Sequence, residues 1–194
     1  MGGSDGLKGT NTLLFEKRGW DTILIEPNPE YYKQMVINRP NARCIESACG
    51  DKRGTEGLWV FVIGRDSIMS SVTSLHPDHR LVKEYQHITH KSYKVDVDVQ
   101  LLDQILIDAN LVGYRRKLDF VSIDTEGTEL DVLYGFDTDL WKPKMLIVEN
   151  NYDDESIENY LWMFGYQKIE RYKINDFYLR LGDNNGSTMQ DSRK

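Results

Sequence analysis

The sequence of 194 residues has few of the features that mark extracellular or membrane proteins. Its two cysteines, Cys44 and Cys49, are too few for a disulfide framework, and a metal site would need further Cys or His at ligand spacing. No apolar run approaches the ~20 residues that cross a bilayer, and the first residues lack the charged and then apolar pattern of a secretory signal. We therefore expect a cytoplasmic protein without a membrane span.

Positive charge is also scarce, because 24 Lys and Arg stand against 31 Asp and Glu, for a formal net charge of -7. Electrostatic binding of nucleic acid over a broad surface needs many Lys and Arg contacts to phosphate. The excess of acidic residues therefore argues against nucleic acid as a partner. A local basic patch at Arg115, Arg116 and Lys117 stays open, although such triplets are usually solvated helix ends.

Strand-like and helical segments alternate along the chain, which is typical of an α/β fold with a mostly parallel, doubly wound sheet. The predicted strands are TILIEP, ARCIESAC, LWVFVIG, YKVDVDV, LDFVSID, KMLIVEN and a closing antiparallel pair, QKIERYK and FYLRLG. The predicted helices are PEYYKQMVIN, VQLLDQILIDANL, TELDVLYGF and ESIENYLWMFGY. We assign residues 1–182 to a single domain and predict that the polar tail, residues 183–194, is disordered.

One long segment interrupts this alternation. Residues 65–92 are polar, lack periodicity and contain all four histidines, which predicts an excursion or lid without strands. The histidines form two His-x-x-His pairs, at 76/79 and 87/90, but no helical pattern or ligand-spaced acids accompany them, so we assign no metal there. Each remains a candidate base, because histidine titrates near neutral pH.

Ligands of doubly wound sheets bind at the carboxyl ends of the strands, and Glu26 ends the first predicted strand. It follows the turn GGSDG, residues 2–6, by about twenty residues, which is the spacing of an acid that accepts both hydroxyls of a ribose. The glycines allow close approach of a ligand, and Asp5 adds an acceptor for an ammonium or a hydroxyl. A flexible chain end would have the same composition, so the turn indicates a ligand site only in combination with Glu26 at this spacing.

A second acidic segment is FVSIDTEGTEL, residues 120–130. Asp124 directly follows a buried strand and is predicted to face the ligand. Glu126 and Glu129 lie at the start of the next helix, where the macrodipole favours anions, and either could cap it, as could Thr128 with Asp131.

A pocket with this many acids favours a particular kind of ligand. Asp5, Glu26, Asp124 and Glu149 would repel a phosphate-bearing dinucleotide, which prefers a helix terminus without nearby anions. S-adenosyl-L-methionine carries a sulfonium, an ammonium and a ribose diol, and it therefore suits the predicted pocket better than NAD.

Together these segments resemble the FkbM family of S-adenosylmethionine-dependent methyltransferases. GGSDGLKGTNTLLFEKRGWDTILIEPNPEYY is similar to the family's Gly/Asp loop and acid-Pro-Asn-Pro turn, and DFVSIDTEGTELDVLYGFD resembles its Asp-x-Glu-Gly-x-Glu signature. MLIVEN and MFGYQKIERYKINDFYLR resemble its closing segments. The resemblance covers nearly the whole chain, and it implies a Rossmann-like class I methyltransferase fold and methyl transfer to a hydroxyl.

The resemblance also implies roles for individual residues in holding the cofactor. Gly3, Asp5 and Gly6 would contact the methionine moiety, and Glu26 would hold the ribose. Ala48 and Cys49 would contact adenine, and Asp124 would lie beside the transferred methyl group. In the family the Gly/Asp loop follows a buried strand, and no residues precede Met1 here to form one. We therefore expect the first strand to be missing or truncated.

Methyl transfer to a hydroxyl requires that the acceptor oxygen be held against the methyl carbon and that its proton be removed. Asp124 and Glu149 are the candidate catalytic bases, and we expect the acceptor to be a hydroxyl of a small molecule or a glycan. Two alternatives stay open. One is a methyltransferase of RNA ribose, which usually combines two lysines with an Asp and a Glu, and the other is a degenerate domain that binds the cofactor without catalysis.

Overall fold

A computed structural model describes residues 1–63, 67–72, 80, 83–84, 87–89, 91–109 and 118–182. The elements in chain order are α1 (Leu13–Glu16), β1 (Ile23–Ile25), α2 (Pro29–Asn38), β2 (Arg43–Ile45), β3 (Ala48–Cys49), β4 (Gly54–Ile63), β5 (Ser67–Val72), β6 (Lys91–Gln100), α3 (Leu102–Asp108), β7 (Phe120–Ile123), α4 (Glu129–Tyr134), α5 (Thr138–Trp141), β8 (Met145–Glu149), α6 (Glu155–Met163), β9 (Tyr166–Tyr172) and β10 (Asn175–Arg180). None of the helices in the described ranges has the length and apolar character that a membrane crossing requires. The predicted disordered tail and the basic triplet at 115–117 lie outside the described residues.

The strands form three sheets, with the orders β1-β2, β3-β6-β4-β5 and β7-β8-β10-β9. The pairs β1 with β2, β3 with β6 and β7 with β8 are parallel, and the other four described pairs are antiparallel. The predicted α/β class and the closing antiparallel pair, β9 with β10, are confirmed. A mostly parallel sheet is not confirmed, because the sheets are mixed.

The prediction of an excursion without strands over residues 65–92 is wrong for β5. This strand pairs antiparallel with β4, from Leu58 opposite Val72 to Ile63 opposite Ser67. On its other side β4 pairs with β6. Backbone hydrogen bonds form such a ladder whatever the side chains, so the polar sequence SIMSSV gives little sign of a strand.

The connection from β1 to α2 follows from the residues Glu-Pro-Asn-Pro. Asn28 caps α2, because its side-chain oxygen accepts hydrogen bonds from the backbone N–H of Glu30 at 2.9 Å and of Tyr31 at 3.4 Å. Pro29 occupies the first helical position, where a missing N–H is harmless. The turn therefore holds the carboxyl end of β1 at a fixed angle to the helix.

The larger hydrophobic core packs around the sheet that contains β7, β8 and β10. Leu146 and Val148 of β8 and Tyr178 of β10 are fully buried, together with Leu133 of α4 and Leu161 of α6. The parallel register places Ile123 opposite Val148, so the residues that follow, Asp124 and Glu149, lie side by side at the carboxyl edge of a rigid sheet.

Beside β7 lies a cleft of about 790 Å³, lined by β1 on one side and β7 on the other. At its carboxyl end the amino group of Met1 donates to the Ser122 carbonyl at 2.7 Å, and the N–H of Gly3 donates to the Ile25 carbonyl at 3.1 Å. The described residues contain no strand that pairs with β1 or β7 on this side. Through these two contacts the N-terminal segment connects β1 with β7 at that end.

Candidate functional site

Four of the predicted site residues meet at one point of the fold. Glu26 follows β1, Asp124 follows β7, and Ala48 and Cys49 form β3, yet all four line the same cavity of about 30 Å³. The carboxyl ends of strands from all three sheets therefore converge, as the position of ligand sites in α/β folds predicts. This volume is about that of one water molecule.

Glu26 is 3% exposed and joins the N-terminal loop to the end of β1. One carboxylate oxygen accepts the N–H of Ser4 at 2.8 Å, and the other accepts the N–H of Asn28 at 2.9 Å. Burial raises the pKa of Glu26 more than these two hydrogen bonds lower it. Each oxygen has a second lone pair, so the carboxylate can still accept hydrogen bonds from a ligand.

The glycines of the N-terminal loop are required by close packing of the loop on α2. A Cβ on Gly3 would lie 2.5 Å from the sulfur of Met35, and one on Gly6, whose φ is +82°, would lie 2.7 Å from the Cγ of Arg39. The carboxylate of Asp5 accepts the N–H groups of Leu7 at 2.9 Å and Lys8 at 2.8 Å. Gly3, Asp5 and Gly6 thus shape the loop, and Gly3 lies next to the residues of the small cavity.

The two predicted bases, Asp124 and Glu149, are hydrogen-bonded to each other. Burial raises the pKa of Asp124, and it raises the pKa of Glu149 to about 9 together with the charges of Asp124, Glu126 and Glu129. Glu149 therefore keeps its proton at neutral pH and donates it toward Asp124. The Oε2 atom of Glu149 is buried and has no hydrogen-bond partner among the residues that the structure describes.

The loop between β7 and α4 brings a third carboxylate to this pair. Glu126 adopts a left-handed backbone conformation with a φ of +60°, and one of its side-chain oxygens lies within 4.8 Å of an oxygen of Asp124 and of Glu149. Burial and the charges of Asp124 and Glu129 raise the pKa of Glu126 to about 7. The three acids thus form one cluster, whereas sequence reasoning had related Glu126 to the helix start.

Glu129 has a different, structural role. Its carboxylate accepts the N–H of Thr125 at 2.9 Å, the hydroxyl of Thr125 at 3.0 Å and the N–H of Gly127 at 3.1 Å. It therefore holds the loop that carries Glu126. The predicted capping by Thr128 with Asp131 is wrong, because the Thr128 side chain makes no capping hydrogen bond and instead donates to the Thr125 carbonyl at 3.4 Å.

Ala48 and Cys49 are buried, and β3 pairs parallel with β6. Burial raises the pKa of the Cys49 thiol to about 12, so at neutral pH the thiol is a small apolar surface and not a nucleophile. Of the histidines, His87 is exposed, and His76, His79 and His90 lie outside the described residues. The described geometry therefore draws attention to the carboxylates.

Sequence reasoning missed two partners of the site. Ser4 binds Glu26 through its backbone N–H, which no side-chain pattern indicates. The amino group of Met1 is buried among Cys49, Asp124 and Glu26, and burial lowers its pKa.

A comparison with known protein families gives one match. The model of the methyltransferase FkbM domain matches residues 1–168, which include every predicted site residue. No curated protein and no solved structure matches the chain.

Proposed function

Because the chain belongs to the FkbM methyltransferase family, we propose that it is an S-adenosyl-L-methionine-dependent enzyme that methylates a hydroxyl group of a small molecule or a glycan. The observation that carries this proposal is the convergence of Glu26, Cys49 and Asp124, from three sheets, on one cavity. We also propose that the three sheets correspond to a Rossmann-like methyltransferase fold, in which the cofactor lies across the carboxyl ends of β1, β3 and β7.

The side chains at this edge suit the cofactor chemically. A carboxylate accepts hydrogen bonds from a ribose diol, and acids beside a sulfonium and an ammonium gain from charge attraction. The cavity of about 30 Å³ is far smaller than the roughly 300–1,000 Å³ of typical ligand pockets. Met1 lines both this cavity and the larger cleft, so binding requires the Met1 side chain to move aside.

Each part of the cofactor would contact a different set of residues. Glu26 would hold the ribose hydroxyls, Ala48 and Cys49 would give an apolar contact for adenine, and the loop with Gly3, Asp5 and Gly6 would surround the methionine part. When bound, the cofactor supplies a methyl group on a positively charged sulfur. We propose these roles together, because all of these residues lie at the same edge of the fold.

The Asp124 and Glu149 pair would remove the proton of the acceptor hydroxyl. Glu149 carries a proton at neutral pH and donates it to Asp124, so Asp124 is the member that can accept another. Burial makes this carboxylate more basic than one in water, which suits a general base. A positioned base contributes typically about 10²- to 10⁴-fold in rate.

Calorimetric titration of S-adenosyl-L-methionine into the 194-residue chain tests this proposal. We expect binding at one site, and we expect Glu26→Gln to weaken it about tenfold or more, because a hydrogen bond to a charged acceptor is worth ~1.5–3 kcal/mol. The matched control is Glu46→Gln, which changes an exposed acid after β2 and should leave the affinity unchanged. Far-UV circular dichroism of both variants separates weak binding from misfolding.

Each alternative has its own outcome. A folded wild-type chain that does not bind the cofactor would contradict the proposal. Cofactor binding without turnover on any hydroxyl acceptor would support the degenerate domain, and RNA affinity that falls steeply with salt would support the RNA methyltransferase.

A further inference from the structure

The three clustered carboxylates at the ends of β7 and β8 have the composition of a cation site. Asp124 and Glu149 are neighbours across two parallel strands, and Glu126 returns to them through its left-handed turn. One oxygen from each lies within 4.8 Å of the others. Twice the metal–oxygen distance is about 4.6–5.2 Å for Ca²⁺ and about 4.0–4.2 Å for Mg²⁺. Oxygens this close can converge on one divalent ion, with a small movement of the side chains where a pair lies near the 4.8 Å limit.

A separate observation indicates that a ligand is missing from this cluster. Glu149 is 3% exposed, and no group in the described part of the chain forms a hydrogen bond with its Oε2 atom. A buried acceptor without a partner is costly, and native structures rarely leave one unsatisfied. The side chain is directed into the cluster, since one of its oxygens belongs to the group within 4.8 Å. A cation that both oxygens of Glu149 bind would satisfy Oε2 and offset the repulsion of the three acids.

Glu129, the remaining acid of the segment that carries Asp124 and Glu126, shows that the cluster is not needed to hold the backbone in place. Glu129 binds Thr125 and Gly127 through its own carboxylate and stays outside the cluster. The loop is thus fixed by Glu129, and the orientation of Glu126 toward Asp124 and Glu149 is a separate property.

We propose that Asp124, Glu126 and Glu149 bind one divalent cation of the oxygen-preferring kind, such as Mg²⁺, Mn²⁺ or Ca²⁺, and that its binding displaces the proton that Glu149 holds in the free site. Three protein ligands leave about three positions of an octahedral ion for water or for other oxygens. With the proposed function as its premise, the site would hold an acceptor through two neighbouring oxygens. It would therefore favour diols and hydroxy acids over isolated alcohols. Cation binding itself rests on the carboxylate geometry alone.

The direct test is a titration of MnCl₂, MgCl₂ and CaCl₂ into the full chain after dialysis against a chelator, followed by calorimetry and, for Mn²⁺, by electron paramagnetic resonance. We expect saturable binding of one ion per chain and an increase in the melting temperature, because a ligand that binds only the folded state stabilises it. Glu149→Gln and, separately, Glu126→Gln should each weaken binding about tenfold or more. Glu170→Gln, an exposed acid on β9, is the matched control.

The outcomes separate this proposal from the proposed function. No saturable binding up to about 10 mM, above even the weak ~1 mM calcium sites of extracellular modules, would overturn the cation site. Equal affinity in the wild type and in both variants would overturn it too, because the ion would then bind elsewhere. Glu126 is only partly buried, so its variant should stay folded even if Glu149→Gln does not. A parallel titration with S-adenosyl-L-methionine reports on the cofactor independently, so failure of one proposal leaves the other measurable.

Discussion

Two acidic sites lie next to each other in the sheet β7-β8-β10-β9 and differ in how their charge is balanced. The carboxylate of Asp176, on β10, accepts hydrogen bonds from Arg171 at 2.8 Å and from Asn150 at 2.9 Å, and it lies 3.1 Å from the Lys168 ammonium. Burial alone would raise its pKa, but the hydrogen bonds from Asn150, Arg171 and Lys168 keep the pKa of Asp176 below its usual value. At this site the buried charge is compensated.

The neighbouring cluster has the opposite property. Glu149 directly precedes Asn150 in the chain, yet the charges that act on it most strongly are those of Asp124, Glu126 and Glu129, and its pKa is raised. The sites also differ in position, because β10 lies between β8 and β9, whereas β7 borders the large cleft. The opposite pKa shifts show that Asp176 is stabilised by its basic and amide partners, whereas burial and mutual repulsion dominate in the Asp124 cluster.

The largest effect is expected from a change that fills the cleft beside β7, so that β7, like β10, lies between two strands. An apolar strand of about five residues fused before Met1 would continue from the contacts with Ser122 and Ile25 and run between β1 and β7. Several aliphatic side chains, each worth ~1.5–3 kcal/mol on burial, should outweigh the cost of ordering and raise the free energy of unfolding by more than about 3 kcal/mol.

Urea unfolding of the extended and the original chain measures this effect. The control is a Gly-Ser extension of equal length, which can pair its backbone but buries no aliphatic side chains. Equal stability of the two extended chains would show that the cleft does not accept an apolar strand.

The second effect tests whether Asp176 is structural. Asp176→Ala removes a fully buried carboxylate together with its hydrogen bonds from the Asn150 amide and the Arg171 guanidinium, so we expect a loss of about 3 kcal/mol in the free energy of unfolding. Asp153→Asn is the matched control, because Asp153 contacts the same Arg171 at 3.1 Å but its side chain is 68% exposed, and asparagine tolerates the left-handed φ of +53° at this position. Exposed pairs are worth ~0–1 kcal/mol. Similar losses in the two variants would refute the distinction.

The sequence predicted those elements whose formation depends on local pattern. The helix PEYYKQMVIN is observed as α2 with the same bounds, and the strands around Ile25, Ile123 and Val148 follow from short apolar runs. It therefore also predicted which acids end those strands. The polar strand β5 was missed because its partner β4, and not its own side chains, determines it.

The internal arrangement of the site could not be predicted in the same way. Asp124 and Glu149 were singled out separately, but their hydrogen bond depends on the register of β7 and β8, which is a long-range property. The orientation of Glu126 depends on a left-handed φ of +60° at a residue other than glycine. The compensated site at Asp176 was not recognised at all, since Lys168 and Arg171 reach it from the adjacent strand β9.

The smallest of the three effects concerns the cluster of Asp124, Glu126 and Glu149 and the way in which its contribution to stability changes with pH. Glu149 has a folded-state pKa of about 9 against an ordinary value of 4.5, so between these pH values the folded chain binds more protons than the unfolded chain, and stability falls as pH rises. Glu149→Gln keeps a donor toward Asp124 but cannot lose a proton. In chelator, we expect the variant to match the wild type near pH 5 and to exceed its free energy of unfolding by about 2 kcal/mol at pH 8. Urea unfolding at both pH values measures this gap, and a constant difference between the two proteins would mean that Glu149 titrates as an ordinary acid and that its burial is compensated after all.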